Sequence, residues 1–155
     1  MNGEDGKMRE IKFRGKCKDD GKFYFGNLVK ICGDSFIIAP STWEYKNVDP
    51  LHWKIMEYEG CRYAVVVYSV YNKTVVQFTG FKDIDDKEIF EGDIIQNDEY
   101  SEDIGKIINE NGCWLVDWVD YDSKPCLGWL LDNTPQRVIG NIFDNPELLE
   151  MDENG

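Results

Sequence analysis

Short runs of alternating apolar and polar residues, divided by Gly, Asp and Asn, make up most of the chain. Apolar positions with a helical period extend over a few turns at most. Because alternation with a period of two is typical of half-buried strands, the sequence predicts a mainly β fold with few short helices. Strands are expected at residues 35–39, 62–71, 74–78, 93–96, 105–109, 113–119, 129–131 and 137–142.

The first predicted hairpin joins residues 9–18 and 22–32 through Asp20-Gly21, a pair that favours the positive φ angles of a type I′ turn. A two-residue loop sets the register, which pairs Cys17 with Tyr24. One face is then apolar and is expected to meet the core; it consists of Ile11, Phe13, Cys17, Tyr24 and Leu28. The other face is a basic ladder with aromatic residues across from it; it consists of Lys12, Arg14, Lys16 and Lys18, with Phe23 and Phe25 opposite.

Helical structure is expected at two places. Asp49 is a suitable N-cap, Pro50 suits the first helical position, and Gly60 is a stop signal, so one short helix is predicted between them. The sequence Asn-Pro-Glu at 145–147 predicts a final helical turn.

The second half of the chain is predicted to form a small SH3-like barrel, or roll. Gly92-Asp93 bends the chain into a first barrel strand, and Asn111-Gly112 suits a tight hairpin. Short strands joined by tight turns can close so that few edges stay exposed. The expected organisation is a hairpin-containing β region at residues 1–72 and an SH3-like roll with a C-terminal helical turn at 73–155, or one compact unit.

Three sequence blocks carry a resemblance to a known family. The first is REIKFRGK at 9–16 with GNL at 26–28; the second is VQFTGFKD at 76–83 with KEIF and EGDI at 87–94; the third is VIGNIFDNPELL at 138–149. In order and spacing these blocks resemble the YopX-type family of phage and prophage proteins. The resemblance implies an SH3-like roll, self-association into a small oligomer such as a trimer, and a phage or prophage origin. It implies no activity, because the family has no assigned chemistry to transfer.

Two features depart from the family pattern. Asp85-Asp86 stands where the family tends to have Asn-Gly, and residues 43–71 form a longer stretch than is typical. Because aspartate suits positive φ less well than glycine, a looser or longer turn is expected at Asp85-Asp86.

The formal charge of −13 is unevenly distributed. Residues 7–30 contain eight bases and three acids, whereas residues 83–104 contain ten acids and the single base Lys87. Because nucleic acid is bound mainly through Lys and Arg, the total charge makes binding to it unfavourable. The acidic segment instead favours a basic protein partner.

The residues typical of enzyme sites give no catalytic, cofactor or metal assignment. Five cysteines at wide separations without C-x-x-C indicate reduced cytoplasmic thiols, not a disulfide framework or a zinc site. His52 is the only histidine, so a nucleophile–base pair would need it together with a distant Cys or Ser. Residues 83–88 begin like a calcium loop, but Lys87 stands where an oxygen ligand belongs, which favours a solvated turn. Phosphate-binding glycine motifs are absent from the sequence.

A cluster of aromatic residues is expected to fill the core of the proposed roll, with an exposed peptide groove as the alternative; it consists of Trp114, Trp118, Tyr121 and Trp129. The amino terminus lacks the apolar stretch of a signal peptide, and no run is long enough for a membrane span, so a cytoplasmic location is expected.

Three functional hypotheses remain. The first is a non-catalytic accessory protein that binds another protein through the acidic segment and self-associates. The second is a nucleic-acid-binding module that uses the basic ladder, with Phe23 and Phe25 as stacking surfaces. The third is an enzyme with an unrecognised carboxylate site, which is the least favoured, and no small-molecule substrate is predicted.

Overall fold

The computed structural model describes residues 10–39 and 52–150, and it confirms the predicted mainly β fold with few short helices. The chain divides into two compact units, Met1–Gln77 and Phe78–Gly155, which we call the first and second unit. In the described part of the chain, no helix has the length and apolar character needed to cross a membrane.

The first unit is built on an antiparallel sheet in the order β4-β5-β3-β2-β1. Its strands are β1 (Phe13–Lys16), β2 (Phe23–Ile31), β3 (Asp34–Ala39), β4 (Trp53–Tyr58) and β5 (Cys61–Val70). A 3-10 turn at Asn72–Thr74 leads into β6 (Val76–Lys82), which begins beside β1 and continues into the second unit. The strands predicted at 35–39 and 62–71 are confirmed, and the one predicted at 74–78 begins two residues later.

The first hairpin forms with a register that differs from the prediction by two residues. Gly15, not Cys17, lies opposite Tyr24. The loop contains four residues, because the Cys17 N–H donates to the carbonyl of Lys22 at 2.9 Å. Gly21 has a positive φ of 70°, whereas the Asp20 carboxylate accepts hydrogen bonds from the Lys22 N–H at 2.9 Å and the Tyr24 hydroxyl at 2.5 Å. These bonds favour the longer loop over the predicted type I′ turn.

A shift of two residues leaves every side chain on its predicted face, because side chains alternate with a period of two. The core of the first unit contains Cys17, Ile37, Val66, Tyr68 and Val70, and Phe13, Tyr24 and Leu28 pack against it. Ile11 is the exception: it lies before β1, and its side chain is 64% exposed. The predicted apolar face is therefore correct for four of its five residues.

The helix predicted between Asp49 and Gly60 is wrong. Its first residues, 49–51, lie outside the described part of the chain, and the following segment forms strand β4, which pairs with β5. Glu59 and Gly60 have positive φ angles of 49° and 75°, as a two-residue type I′ turn requires. Gly60 therefore closes a hairpin instead of ending a helix, because pairing with the ten-residue strand β5 outweighs the local capping signals.

Glu59→Asn is expected to raise the free energy of unfolding by roughly 0.5–1 kcal/mol, because Asn tolerates the left-handed conformation better than Glu does. Glu59→Gln is the matched control, since it removes the same charge without that tolerance. Urea denaturation of both variants measures the difference. Equal stabilisation by the two substitutions would assign the gain to charge removal and contradict the turn argument.

The second unit contains an open four-stranded antiparallel sheet in the order β10-β9-β8-β11. Its elements after β6 are β7 (Glu88–Phe90), β8 (Asp93–Asn97), β9 (Ile104–Glu110), β10 (Cys113–Trp118), α1 (Leu127–Asn133), β11 (Gln136–Asn141) and a 3-10 turn at Pro146–Leu149. Strands β6 and β7 pair with each other instead of joining β10 to β11. Over residues 78–150, closure into an SH3-like barrel is therefore not found.

Local turn and strand signals of the second unit are mostly confirmed. Asn111 and Gly112 have positive φ angles of 54° and 81°, and they connect β9 to β10 as a tight hairpin with Glu110 opposite Cys113. The strands predicted at 93–96 and 137–142 and the helical turn at 145–147 are present. The strand predicted at 129–131 is wrong, because this segment belongs to helix α1.

The core of the second unit explains where the aromatic residues lie. It is formed by Ile89, Ile95, Ile107, Trp114, Val116, Leu127 and Leu130, with Trp118, Leu131 and Val138 packed against it. Leu127 and Leu130 lie one helical turn apart and are both buried, whereas Trp129 points outward and is 61% exposed. Tyr121 is 54% exposed. The predicted core position is thus correct for Trp114 and Trp118 and wrong for Tyr121 and Trp129.

Candidate functional site

Asp83 organises the loop between β6 and β7. The residue is 8% exposed. Its Oδ1 atom accepts hydrogen bonds from the backbone N–H groups of Asp85 at 2.8 Å and Lys87 at 3.0 Å. Its Oδ2 atom accepts a third, from the N–H of Val138 in β11, at 2.9 Å. Both carboxylate oxygens therefore accept hydrogen bonds from the backbone of the protein, and these bonds hold the loop against β11.

The turn inside this loop closes with aspartate in the left-handed conformation. Asp86 has a φ of 63°, and its N–H donates to the carbonyl of Asp83 at 3.0 Å. Asp86 therefore adopts the positive φ angle for which aspartate is less suited than glycine. The conformation places the side chains of Asp85 and Asp86 in solvent, where they are 54% and 85% exposed.

Asn97 fixes the loop between β8 and β9. Its Oδ1 atom accepts hydrogen bonds from the N–H groups of Glu99 at 3.0 Å and Tyr100 at 3.3 Å, and its own N–H donates to the carbonyl of Asp103 at 3.0 Å. Asn97 is itself 5% exposed, so these bonds attach the loop to a buried residue. The loop therefore displays Glu99, Glu102 and Tyr100 toward solvent in a defined arrangement.

Arg137 of β11 joins the two loops. Its guanidinium forms ion pairs with Asp85 of the β6–β7 loop and, at 3.2 Å, with Asp98 of the β8–β9 loop. The hydrogen bond to Asp98 and the charges of both carboxylates raise the pKa of Arg137 above its ordinary value. One cation thus holds two negatively charged loops side by side.

Tyr121 attaches a third acidic segment, which follows β10. Its hydroxyl donates to Oδ1 of Asp103 at 2.9 Å. This hydrogen bond, together with the charges of Asp103, Asp120 and Glu102, raises the pKa of the Tyr121 hydroxyl. The segment around Asp120 and Asp122 therefore lies beside the β8–β9 loop.

These contacts assemble the candidate site, which we call the acidic rim. It consists of Asp85, Asp86, Asp98, Glu99, Glu102, Asp103, Asp120 and Asp122. Asp103 is half-buried and the other seven are exposed. Two tyrosines stand among the carboxylates, Tyr100 at 65% exposure and Tyr121 at 54%. The acidic segment predicted from the sequence is thus extended by residues from after β10.

The basic ladder of the first hairpin is engaged by groups of its own chain. The guanidinium carbon of Arg14 lies 4.7 Å and Nζ of Lys16 lies 5.4 Å from the centre of the Phe23 ring. The ladder's two outer lysines pair with carboxylates, Lys12 with Glu10 at 3.2 Å and Lys18 with Asp34 at 3.8 Å. Arg14 is also buried, at 6% exposure. The Phe23 ring therefore already contacts two cations of its own chain.

A depression on the second unit has a volume of about 330 Å³ and is lined by Lys106, Asp117, Trp118, Val119 and Leu149. Its two charged residues face each other, with Nζ of Lys106 3.8 Å from Oδ2 of Asp117. Their side chains are 41% and 32% exposed, so this is a surface ion pair. The two charged residues of the depression are thus paired with each other at the surface.

His52 and the cysteines occupy positions that the sequence does not reveal. All five cysteines are free thiols; Cys17 is buried, and Cys32, Cys61, Cys113 and Cys126 are exposed. His52 is 8% exposed, and its Nε2 lies 3.7 Å from Oδ2 of Asp19. The distant cysteine that could accompany His52 is Cys17, which lies in the same small cluster.

Fold and site together define an acidic, mainly β protein of two compact units that presents a fixed rim of carboxylates and tyrosines. The chain belongs to the family of YopX proteins, whose model matches residues 12–150. The resemblance of the three sequence blocks to this family is thereby confirmed.

A solved structure supports the fold. The chain is similar to protein EF1440 from Enterococcus faecalis, with a TM-score of 0.54 and 24% sequence identity. The match covers 91% of this chain and 99% of that chain. At this identity the likeness concerns the fold alone. No curated protein matches the chain.

Proposed function

We propose that this protein is a non-catalytic accessory protein that binds a basic protein partner through the acidic rim. The observation that carries the proposal is the internal order of the rim. Asp83, Asn97, Arg137 and Tyr121 fix three acidic loops in one arrangement. Loops that are already ordered lose less conformational entropy on binding, and concentrated negative charge steers a positively charged partner toward them.

The two exposed tyrosines favour a protein as the partner. Tyrosine combines a large apolar ring with a hydroxyl group, and it is enriched among the residues that dominate protein interfaces. Tyr100 and Tyr121 stand within the rim at 65% and 54% exposure. Carboxylates would attract Lys and Arg of the partner, and the tyrosine rings would supply apolar contact and cation–π interactions.

The contacts of the basic ladder support this choice over nucleic acid. Its cations already contact Phe23, Glu10 and Asp34 of the same chain. The formal charge of −13 adds a general repulsion of polyanions.

Self-association belongs to the same proposal. A small oligomer would present several copies of the rim, and simultaneous engagement raises avidity without any new contact. Light scattering of the purified chain, combined with size-exclusion chromatography, measures the number of subunits.

We expect partner binding to weaken about tenfold when three rim residues whose side chains do not hold the loops in place are neutralised. Each lost charge removes on the order of 0.5 kcal/mol of binding free energy. The variant carries Glu99→Gln, Glu102→Gln and Asp120→Asn. The measurement is quantitative affinity capture of the tagged protein from its native cells after nuclease treatment, at low and at raised salt. Retention of a nuclease-resistant basic protein should fall in the variant and also fall with salt.

The matched control carries Asp132→Asn, Glu147→Gln and Glu150→Gln, three exposed acids of the same unit outside the rim. It changes the net charge by the same amount and should retain the partner as the unmodified chain does. Equal loss in both variants would show that only the net charge matters. Retention of nucleic acid alone, or of an acidic protein, would overturn the proposal in favour of a different surface.

A further inference from the structure

Three potential metal ligands converge in the first unit, away from the acidic rim in the sequence. Cys17 directly follows β1, Asp19 lies in the loop between β1 and β2, and His52 directly precedes β4. The thiol sulfur, a carboxylate oxygen and an imidazole nitrogen all lie within 4.8 Å of one another. Contact between residues so distant in the sequence arises from the pairing of strands and not from a local motif.

Two of the three separations between these atoms are close to those of a tetrahedral zinc site. Zinc bonds of about 2.3 Å to sulfur and about 2.1 Å to nitrogen and oxygen place neighbouring ligands about 3.4–3.6 Å apart. Nε2 of His52 lies 3.7 Å from Oδ2 of Asp19, and Sγ of Cys17 lies 3.9 Å from the same oxygen. A contraction of roughly 0.3 Å would bring both pairs to the coordination distance. The thiol sulfur and the imidazole nitrogen, which lie within 4.8 Å of each other, would have to approach by up to about 1.2 Å.

The order of the three groups differs from that of a nucleophile–base–acid triad. In such a triad the imidazole lies between the nucleophile and the carboxylate. In this cluster the Asp19 oxygen faces both the sulfur and the imidazole nitrogen. Cys17 is also fully buried, so its sulfur is not accessible to a substrate. Convergence on a common point suits ligands of an ion better than a proton relay.

The surroundings restrict the movement of the His52 ring. The His52 ring lies against Tyr68, with ring centres 4.8 Å apart, and Tyr68 is stacked on Tyr24 at 3.7 Å. The hydroxyl of Tyr24 donates to Asp20, the neighbour of Asp19, at 2.5 Å. This packing favours one orientation of the imidazole ring.

We propose that Cys17, Asp19 and His52 bind one zinc ion. A thiolate, an imidazole and a carboxylate form a ligand set that zinc accepts, whereas Mg²⁺ and Ca²⁺ prefer oxygen ligands alone. The Asp19 side chain is 53% exposed, so the fourth coordination position opens toward solvent on that side. The two negative ligands balance the charge of the ion, which makes a thiolate at the buried Cys17 tolerable.

The consequence for the protein is a cross-link within the first unit. The ion would join the β1–β2 loop to the residue that leads into β4, two segments that are far apart in the sequence. This inference concerns different residues from the acidic rim and does not depend on the proposed function.

Cobalt titration of the reduced full-length chain tests the proposal. Co²⁺ is expected to bind with a stoichiometry of one and to produce thiolate-to-cobalt charge-transfer absorption, which Zn²⁺ then abolishes by displacement. Because His52 is the only histidine, one equivalent of Zn²⁺ should also shift the single set of imidazole resonances in the NMR spectrum. Absence of either signal in the unmodified chain would overturn the proposal.

Variants assign the ligands. Cys17→Ser should remove the charge-transfer absorption. His52→Asn should weaken metal binding at least about 100-fold, because loss of a ligand costs more affinity than the roughly 10–100-fold caused by loss of a hydrogen-bond partner of a ligand. The matched controls are Cys61→Ser and Cys113→Ser, which alter exposed thiols and should bind as the unmodified chain does. If Cys17→Ser fails to fold, the exposed residue Asp19 decides, since Asp19→Asn should lower affinity without affecting the core. Unchanged affinity in Asp19→Asn, or absorption that follows an exposed cysteine, would refute the assignment.

Discussion

Gly26→Ala is expected to destabilise the first unit by at least about 3 kcal/mol. Adding atoms to a well-packed core typically costs about 1–3 kcal/mol, and the cost is highest where the neighbouring atoms cannot move. A Cβ atom at Gly26 would lie 2.2 Å from the carbonyl oxygen and 2.8 Å from the carbonyl carbon of Ile38. Both atoms belong to the backbone of β3, and Ile38 pairs with Asn27 of β2. The carbonyl therefore cannot retreat without breaking the ladder between these strands.

Urea denaturation and amide hydrogen exchange measure this effect. Exchange at Phe23–Ile31 and Asp34–Ala39 should accelerate, since these strands lose their alignment. Asn27→Ala is the matched control, because Asn27 is the next residue of the same strand and is exposed; it should cost less than about 1 kcal/mol. Equal denaturation midpoints for the two variants would show that β3 does not approach Gly26 as closely as the structure indicates.

Turns were predictable from the sequence where residue preference and strand pairing agree. Asn111-Gly112 suits positive φ at both positions, and the strands on each side pair in the register that this turn sets. Asp20-Gly21 carries a similar signal, yet its register is shifted by two residues. The carboxylate of Asp20 bonds Lys22 and Tyr24 instead, and this competition depends on side-chain positions that the turn signal does not contain.

Two segments were assigned to the wrong type of secondary structure because a distant partner decides their conformation. The segment before Gly60 carries helix-capping residues, but β5 offers a complete edge for pairing, and the segment becomes β4. Tryptophan at position 129 favours a strand, but Leu127 and Leu130 are three residues apart and lie on one face only in a helix. Their joint burial outweighs the preference of Trp129. Barrel closure also depends on long-range pairing, since it requires knowing which strands meet β6 and β7.

The candidate site was predictable in charge and not in arrangement. The excess of acids at 83–104 is evident in the sequence. The role of Arg137 is not, because this residue lies 52 positions from Asp85 and 39 from Asp98. Nothing in the pattern distinguishes the buried Asp83 from its exposed neighbours. The same limit applies to Cys17 and His52, which strand pairing brings together across 35 positions of the sequence.

Asp83→Ala is expected to lower the free energy of unfolding by about 3 kcal/mol, since three backbone N–H groups lose a charged acceptor and each buried group left without one costs about 1–3 kcal/mol. The three donors are Asp85, Lys87 and Val138. Some of these N–H groups can form hydrogen bonds to water instead, so the total stays below the sum of the costs for three unsatisfied groups. Asp83→Asn should have an intermediate effect, because its amide retains one acceptor oxygen and places an NH₂ group against the N–H of Val138 or of the loop.

Asp85→Ala is the matched control for this prediction, as it makes the same chemical change two residues away. Asp85 is 54% exposed and pairs with Arg137 at the surface, so its loss should cost at most about 1 kcal/mol. Thermal and urea unfolding followed by circular dichroism compare the two. Similar destabilisation by both variants would show that the loop depends on charge in general and not on the hydrogen bonds of Asp83.

The same variant connects stability to the proposed function. Asp83 is not a rim residue, yet it holds the β6–β7 loop of the rim against β11. Below the unfolding transition, Asp83→Ala is therefore expected to weaken retention of the basic partner, because the loop must be ordered again on binding. Retention equal to that of the unmodified chain, measured with folded protein, would contradict this link. It would leave the ion pair between Arg137 and Asp85 as the contact that keeps the loop ordered for binding.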